Sequence, residues 1–201
     1  MSRIKHIAVW LSRIGNCKGF GVQSPWAYDL VCNVINQKSP FYAYESLAHR
    51  FPQINKEERR LQKLYFRLAN YMQPRMVTDF TGYSELHAAY IAAGCNKARY
   101  TGIPAGTTSA HLGVLMAMPG AADMMIVSAS AANQTYADTA LAGAADGSLI
   151  IVEGINENKA AHQRWKAMAA WRNDSITFDL YYCGLIFVDK KKYKQDYVIN
   201  F

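Results

Sequence analysis

Side chains able to do chemistry gather in one stretch, Met76 to Gly94, where Asp79, Gly82, Glu85 and His87 follow one another closely. A carboxylate at a strand end accepts hydrogen bonds from the hydroxyl or amino groups of a ligand, and a glycine after it lets the ligand approach the backbone. Met76-Val77-Thr78-Asp79-Phe80 has strand character and Thr81-Gly82-Tyr83-Ser84 is a small polar turn. A helix follows with Leu86, Ala89, Tyr90 and Ala93 on one side. This is the strand–turn–helix opening of a nucleotide-binding βαβ unit, although its turn holds one glycine where such loops hold two or three. His87 and His111 each have the chemistry of a general base. A lone helical histidine is more often a packing or surface residue, and both are read that way. No GxSxG elbow, Walker loop or His/Cys/Asp arrangement accompanies them.

The elements that must hold this stretch are legible on either side of it. Residues 3–14 place Ile4, Ile7, Ala8, Leu11 and Ile14 at helical spacing, with Arg3, Lys5 and Arg13 elsewhere. Such a basic amphipathic helix can lie on a membrane surface, but packing onto its own domain is the favoured reading. Ser24-Pro25 is an N-cap followed by proline at the first helical position, opening a helix from Pro25 to about Gln37. Phe41-Tyr42-Ala43-Tyr44 begins an aromatic connection. Asn55 and Glu58 resemble a capping box for a helix from Lys56 to Met72, which carries Leu61, Leu64, Tyr65, Leu68 and Met72 at helical spacing. Arg59, Arg60, Lys63 and Arg67 on its other face are read as solvated.

Downstream, Ala98–Ile103, Met124–Ala129 and Leu149–Val152 read as strands, separated by helices ending near Met118, Ala145 and Trp171. Ile176, Phe178 and Leu180, then Leu185 to Val188, read as an antiparallel pair closed by a turn containing Gly184. Trp165, Met168 and Trp171 share helical spacing and are assigned to packing under that hairpin. Strands alternating with helices predict an α/β protein with a mostly parallel sheet covered on both faces. Residues 1–73 form a helical segment packing on a core domain of residues 74–201.

A chain of 201 residues that is 51% hydrophobic and 18% charged has the composition of a globular domain, not of a disordered segment. No apolar run approaches the roughly 20 residues of a spanning helix. The opening MSRIKHIAVWLSRIGN has an apolar core of only Ile7 to Leu11 and no small-residue cleavage site, unlike a signal peptide. Cys17, Cys32, Cys95 and Cys183 are scattered with no CxxC pair. They read as free thiols of a cytoplasmic protein, with no metal site. The net charge of +7 is uneven: residues 1–99 carry +8, residues 100–158 carry −5 and residues 159–201 carry +4. Basic termini favour an anionic partner. Yet Lys190-Lys191-Lys192 with Lys194 is the one tight cluster, and a solvated hairpin end accounts for it more simply than nucleic acid does.

Two stretches carry a resemblance. One is Gly19-Phe20-Gly21-Val22-Gln23-Ser24-Pro25-Trp26-Ala27-Tyr28. The other runs from Trp165, Met168 and Trp171 through Ile176-Thr177-Phe178-Asp179-Leu180 and Gly184-Leu185-Ile186-Phe187 to Lys194-Gln195-Asp196-Tyr197-Val198-Ile199. Together they resemble a small bacterial group of class I S-adenosylmethionine-dependent methyltransferase-like proteins, in which a GxGxHSPF segment precedes a Rossmann-like domain. The resemblance implies a seven-stranded sheet whose last strand is antiparallel. It also implies S-adenosylmethionine as cofactor, with Asp79, Gly82 and Glu153 at the site.

The departures from the group's pattern fall where that cofactor would sit. Its first loop reads lElGtslGist, and here Thr81 and Glu85 occupy both glycine positions. Its second strand ends in an acid for the ribose hydroxyls, but Thr101-Gly102-Ile103-Pro104 has no carboxylate. The acidic fiDg of its fourth strand is matched by Ile126-Val127-Ser128-Ala129-Ser130, and an acidic pair after the fifth is reduced to Glu153-Gly154. The short connection between Ile103 and Met124 leaves room for one strand fewer. The expectation is a methyltransferase-like protein with an eroded cofactor site, acting as a non-catalytic binding or partner protein for a small molecule or another protein. The alternatives are a divergent active methyltransferase on a small molecule, and a membrane-surface protein using residues 1–18. An edge strand at the hairpin would offer a homodimer contact.

Overall fold

The structure, a computed structural model, describes residues 24–117 and 122–201. The amphipathic helix expected over residues 3–14, Cys17 and the first half of the Gly19–Tyr28 motif lie outside the described residues. Ser24 caps the first described helix, α1 (Pro25–Leu30), its Oγ accepting from the Ala27 amide at 3.4 Å. The helix does not continue as α to Gln37 but loosens into a π turn over Val31–Ile35. The sequence reading treated the residues after Phe41 as a connection, yet they form a second helix, α2 (Ala43–Arg50). The Phe41, Tyr44 and Phe66 rings hold it against the next helix, with centroids 4.9 to 5.3 Å apart.

That next helix, α3 (Lys56–Met72), keeps its expected bounds. Asn55 Oδ1 accepts from the Glu58 amide at 2.9 Å, and Gln73 in the left-handed region ends the helix. Leu64, Tyr65 and Leu68 are fully buried. The opposite face is solvated at Arg60 and partly at Arg59 and Lys63, but Arg67 is only 6% exposed. Its Nε donates to Val34 O at 2.5 Å and its Nη2 to Ile35 O at 2.9 Å, so its planar fork takes carbonyls at the end of the π turn.

The sheet comprises β1 (Met76–Asp79), β2 (Arg99–Gly102), β3 (Met124–Ser128), β4 (Leu149–Glu153), β5 (Ser175–Asp179), β6 (Cys183–Val188) and β7 (Gln195–Val198). Their spatial order is β2-β1-β3-β4-β6-β5-β7. The first four are mutually parallel, and β6 runs antiparallel between β4 and β5. This is a Rossmann-like α/β arrangement with a mostly parallel sheet, as expected, and with the reversed strand inserted near one edge. The count reaches seven by an unexpected route. Among the described residues no strand lies between β2 and β3, only α5 (Ser109–Ala117), and the seventh is β7, parallel to β5 at the far edge.

Residues alternating along each strand feed two cores. Val77, Ile126, Ile151 and Leu185 join α1 and α3 on one face. Val127, Ile150, Val152 and Ile186 join α6 (Gln134–Gly143) and α7 (Lys159–Ala169) on the other. Burial on both faces is why MMIV and LIIV read as continuous apolar runs. The hairpin turn is Leu180-Tyr181-Tyr182, with Tyr181 at φ +73°, so Gly184 lies within β6 and not in the turn. A Cβ on Gly184 would stand 2.4 Å from the Trp165 ring. Trp165 and Met168 are buried as assigned, whereas Trp171 is 46% exposed.

Candidate functional site

At the C-terminal ends of the parallel strands, β1 finishes in Asp79 and β4 in Glu153. The helix α4 (Glu85–Gly94) begins beside them, capped by Ser84, whose Oγ accepts from the His87 amide at 3.2 Å. This cap sets His87 in the first turn, between the two carboxylates. Its Nδ1 donates to Asp79 Oδ2 at 2.7 Å, and its Nε2 lies 3.6 Å from Glu153 Oε1. From β2, the Tyr100 hydroxyl donates to Asp79 Oδ2 at 2.6 Å. From the turn, the Thr81 amide and Oγ1 donate to Asp79 Oδ1 at 2.8 and 2.6 Å. From α3, the Tyr65 hydroxyl donates to Glu153 Oε1 at 2.5 Å. Asp79 itself is fully buried.

The electrostatics follow from these partners. Burial alone would raise the Asp79 carboxyl, but donors from His87, Thr81 and Tyr100 outweigh it and hold the group below 3.8. Burial would lower the His87 imidazole, yet the hydrogen bond to Asp79 and the charges of Glu153 and Asp79 raise it above 6.5. Glu153 is raised above 4.5 by burial, against the pull of His87 and Tyr65. The Tyr65 and Tyr100 phenols are raised by burial first and by the adjacent carboxylates, which keeps them as donors.

These shifts fix the pH dependence of stability. His87, raised on folding, contributes stability that is full below 6.5 and is lost as pH climbs through its folded value. Glu153, also raised, contributes most below 4.5 and loses that contribution as pH rises through its folded value. Asp79, depressed, contributes above 3.8 and fails as pH drops through its folded value. Denaturant titrations of the wild type minus those of His87→Gln should show a stabilisation that declines above pH 6.5. An NMR titration of His87 with its midpoint at or below 6.5 would contradict this.

The structure therefore brings Asp79 and Glu153 together through His87, a residue the sequence reading assigned to packing. Tyr65 has core spacing on α3 and Tyr100 stands in a short strand, and neither pattern shows in sequence that its hydroxyl meets a carboxylate. Gly82 adopts φ +112°, and nothing lies within 4 Å of where its Cβ would be, so its role is to let the turn form. Glu85 faces away from the cluster, paired with Arg50 at 2.7 Å. His111 is exposed. The Gly82-Tyr83 backbone lies directly on the end of β2. A Cβ on Gly102 would meet Tyr83 Cα at 2.3 Å and Tyr83 N at 2.4 Å. Gly102→Ala should thus force the turn off the strand and cost about 1–3 kcal/mol in chemical denaturation. A neutral substitution would show that the turn gives way freely.

Ile103, just past the end of β2, is buried with Phe80 and Leu112. Beside His87 and Glu153 opens a cleft of about 520 Å³, lined also by Glu57, Glu58, Glu157 and Tyr182. Its carboxylates suit cationic or hydrogen-bond-donating groups. Among the described residues no group of three or more His, Cys, Asp or Glu side chains is placed to hold a metal ion, and no helix is long and apolar enough to cross a membrane.

No protein-family model matches the chain, and no curated protein does. Two solved structures are similar in shape. One is cofactor-bound Rv0187 from MTB, at 14% identity and TM-score 0.46, covering 81% of this chain and 94% of that one. The other is the O-methyltransferase TomG from Streptomyces achromogenes, involved in tomaymycin synthesis, in complex with SAM. It is 15% identical at TM-score 0.45, covering 75% of this chain and 91% of that one. Neither likeness says anything of this chain's own ligand.

Proposed function

We propose that this methyltransferase-like chain is a non-catalytic binding protein in which the residues of the donor site have become a structural ion network. The observation that carries the reading is the state of Asp79, fully buried and already accepting from the Thr81 amide and hydroxyl, His87 and Tyr100. A carboxylate so occupied has no acceptor site left for the amino group of S-adenosylmethionine. Two further features support it. The ribose has no acid at Ile103, and the Gly82-Tyr83 backbone closes the gap over Gly102. What remains open is the acidic cleft beside Glu153, which is suited to a small polar or cationic ligand.

His87 does not restore catalysis on this reading. Flanked by two carboxylates that favour its protonated form, and with Nδ1 already bonded to Asp79, it is a poor general base. Titration calorimetry with S-adenosylmethionine and with S-adenosylhomocysteine tests the proposal. The expected result is no binding up to about 1 mM, against the micromolar affinity typical of a working site. Low-micromolar binding of either compound would replace this reading with that of a divergent methyltransferase.

A further inference from the structure

A second cavity lies away from the strand ends, between the segment leading into α2 and the face of α3 that the sequence pattern marks as solvated. This open recess has a volume of about 890 Å³, within the size range of small-molecule sites. Lys38, Lys56, Arg59, Arg60, Lys63 and Arg67 all line it, and Glu45 is the one acidic side chain among the lining residues. None of these six cations takes part in an ion pair among the described residues. Arg59, Lys63 and Arg67 are spaced i, i+4, i+8 on α3, an arrangement in which like charges destabilise a helix. Burial and the nearby Arg59 and Arg67 hold the Lys63 ammonium below its ordinary range. The protein thus maintains a concentrated positive field in a recess with almost nothing to neutralise it.

The walls are aromatic. Lys63 Nζ sits 4.5 Å from the Tyr44 ring centroid, and the Arg60 guanidinium lies 4.5 Å from that of Phe201, so both cations are oriented by ring faces. Tyr42, also lining the cavity, is 88% exposed, and a large aromatic left open to water beside a cationic recess is a stacking platform. We infer that this cavity binds a small polyanion bearing a planar ring, of the nucleoside di- or triphosphate class. Its phosphates would lie between Arg60 and Lys63 and its base would stack against Tyr42. The cations supply the need for more than one negative charge, the exposed ring supplies the need for a flat one, and the volume is that of a small-molecule site. The inference is independent of the Asp79 site: binding of S-adenosylmethionine in the acidic cleft would leave it standing.

The test uses the full chain in calorimetry at moderate salt with ADP, pyrophosphate, adenosine and a short single-stranded oligonucleotide. ADP should bind more tightly than either pyrophosphate or adenosine. A combined Arg60→Glu and Lys63→Glu change should weaken it at least about tenfold, and Tyr42→Ala by roughly three- to tenfold, as loss of charge-assisted bonds and of one stacking contact requires. Thermal melts of both variants confirm that they fold. Absence of ADP binding below about 1 mM would overturn the inference. So would pyrophosphate binding as tightly as ADP, ADP affinity unchanged in the charge-reversed protein, or an oligonucleotide preferred over ADP by more than about tenfold, which is the behaviour of an extended nucleic-acid surface.

Discussion

Asp79→Ala lowers the stability of the protein by about 3–5 kcal/mol, the range seen when one member of a buried charge pair is removed. The size follows from what loses its partner. His87, raised in pKa by this carboxylate, keeps Glu153 at 3.6 Å and the more distant Glu58 as counter-charges but loses its hydrogen-bonded one. The Thr81 amide and hydroxyl and the Tyr100 phenol lose their acceptor as well. Because Tyr100 also accepts from the Ser84 amide at 3.2 Å, the cap of α4 loosens with the turn. Asp79→Asn separates charge from shape: it keeps one carbonyl oxygen as acceptor, so it should cost less than alanine but still more than about 1 kcal/mol. For a domain of this length the alanine loss corresponds to roughly 6–20 °C in Tm. A Tm change within about 2 °C would mean that Asp79 is not the anchor of the network and would reopen it as a ligand contact.

The fold was largely legible because its signals are periodic. Runs such as MMIV and LIIV are what strands covered on both faces require, and Asn55 and Pro74 bracket α3 with ordinary cap and stop chemistry. The seventh strand escaped notice because β7 is a half-exposed edge with the pattern Gln195-Asp196-Tyr197-Val198, whose one firm tie in sequence terms is its neighbour β5. The site was legible by halves. Asp79 and Glu153 stand at strand ends, which topology brings together, so both could be named from one dimension. His87 could not be joined to them, because its partners come from β1 and β4, residues 79 and 153, and only the cap at Ser84 aims it there. Tyr65 and Tyr100 are harder still: an aromatic at core spacing looks the same whether or not its hydroxyl has found a carboxylate.

Arg67→Ala should cost a similar amount, about 3–5 kcal/mol, although its place in a row with Arg59, Arg60 and Lys63 suggests an exposed cation. Its guanidinium is buried, and Nε and Nη2 hold the carbonyls of Val34 and Ile35 while Nη1 reaches the Tyr44 hydroxyl at 3.3 Å. Two carbonyls left without donors in a buried place cost roughly 1–3 kcal/mol each, and truncation adds a void between α3 and the π turn. Lysine cannot reach both carbonyls with a planar fork, so Arg67→Lys should recover less than half of the loss despite keeping the charge. Urea titrations of the two variants decide the matter, and equal stability of lysine and arginine there would mean that charge alone is required. The same geometry explains why the cationic cavity has the shape it does. Arg67 ties the end of the π turn to α3 and so fixes the near wall, whereas Arg60 and Lys63 are braced only by ring faces and remain available to an incoming anion.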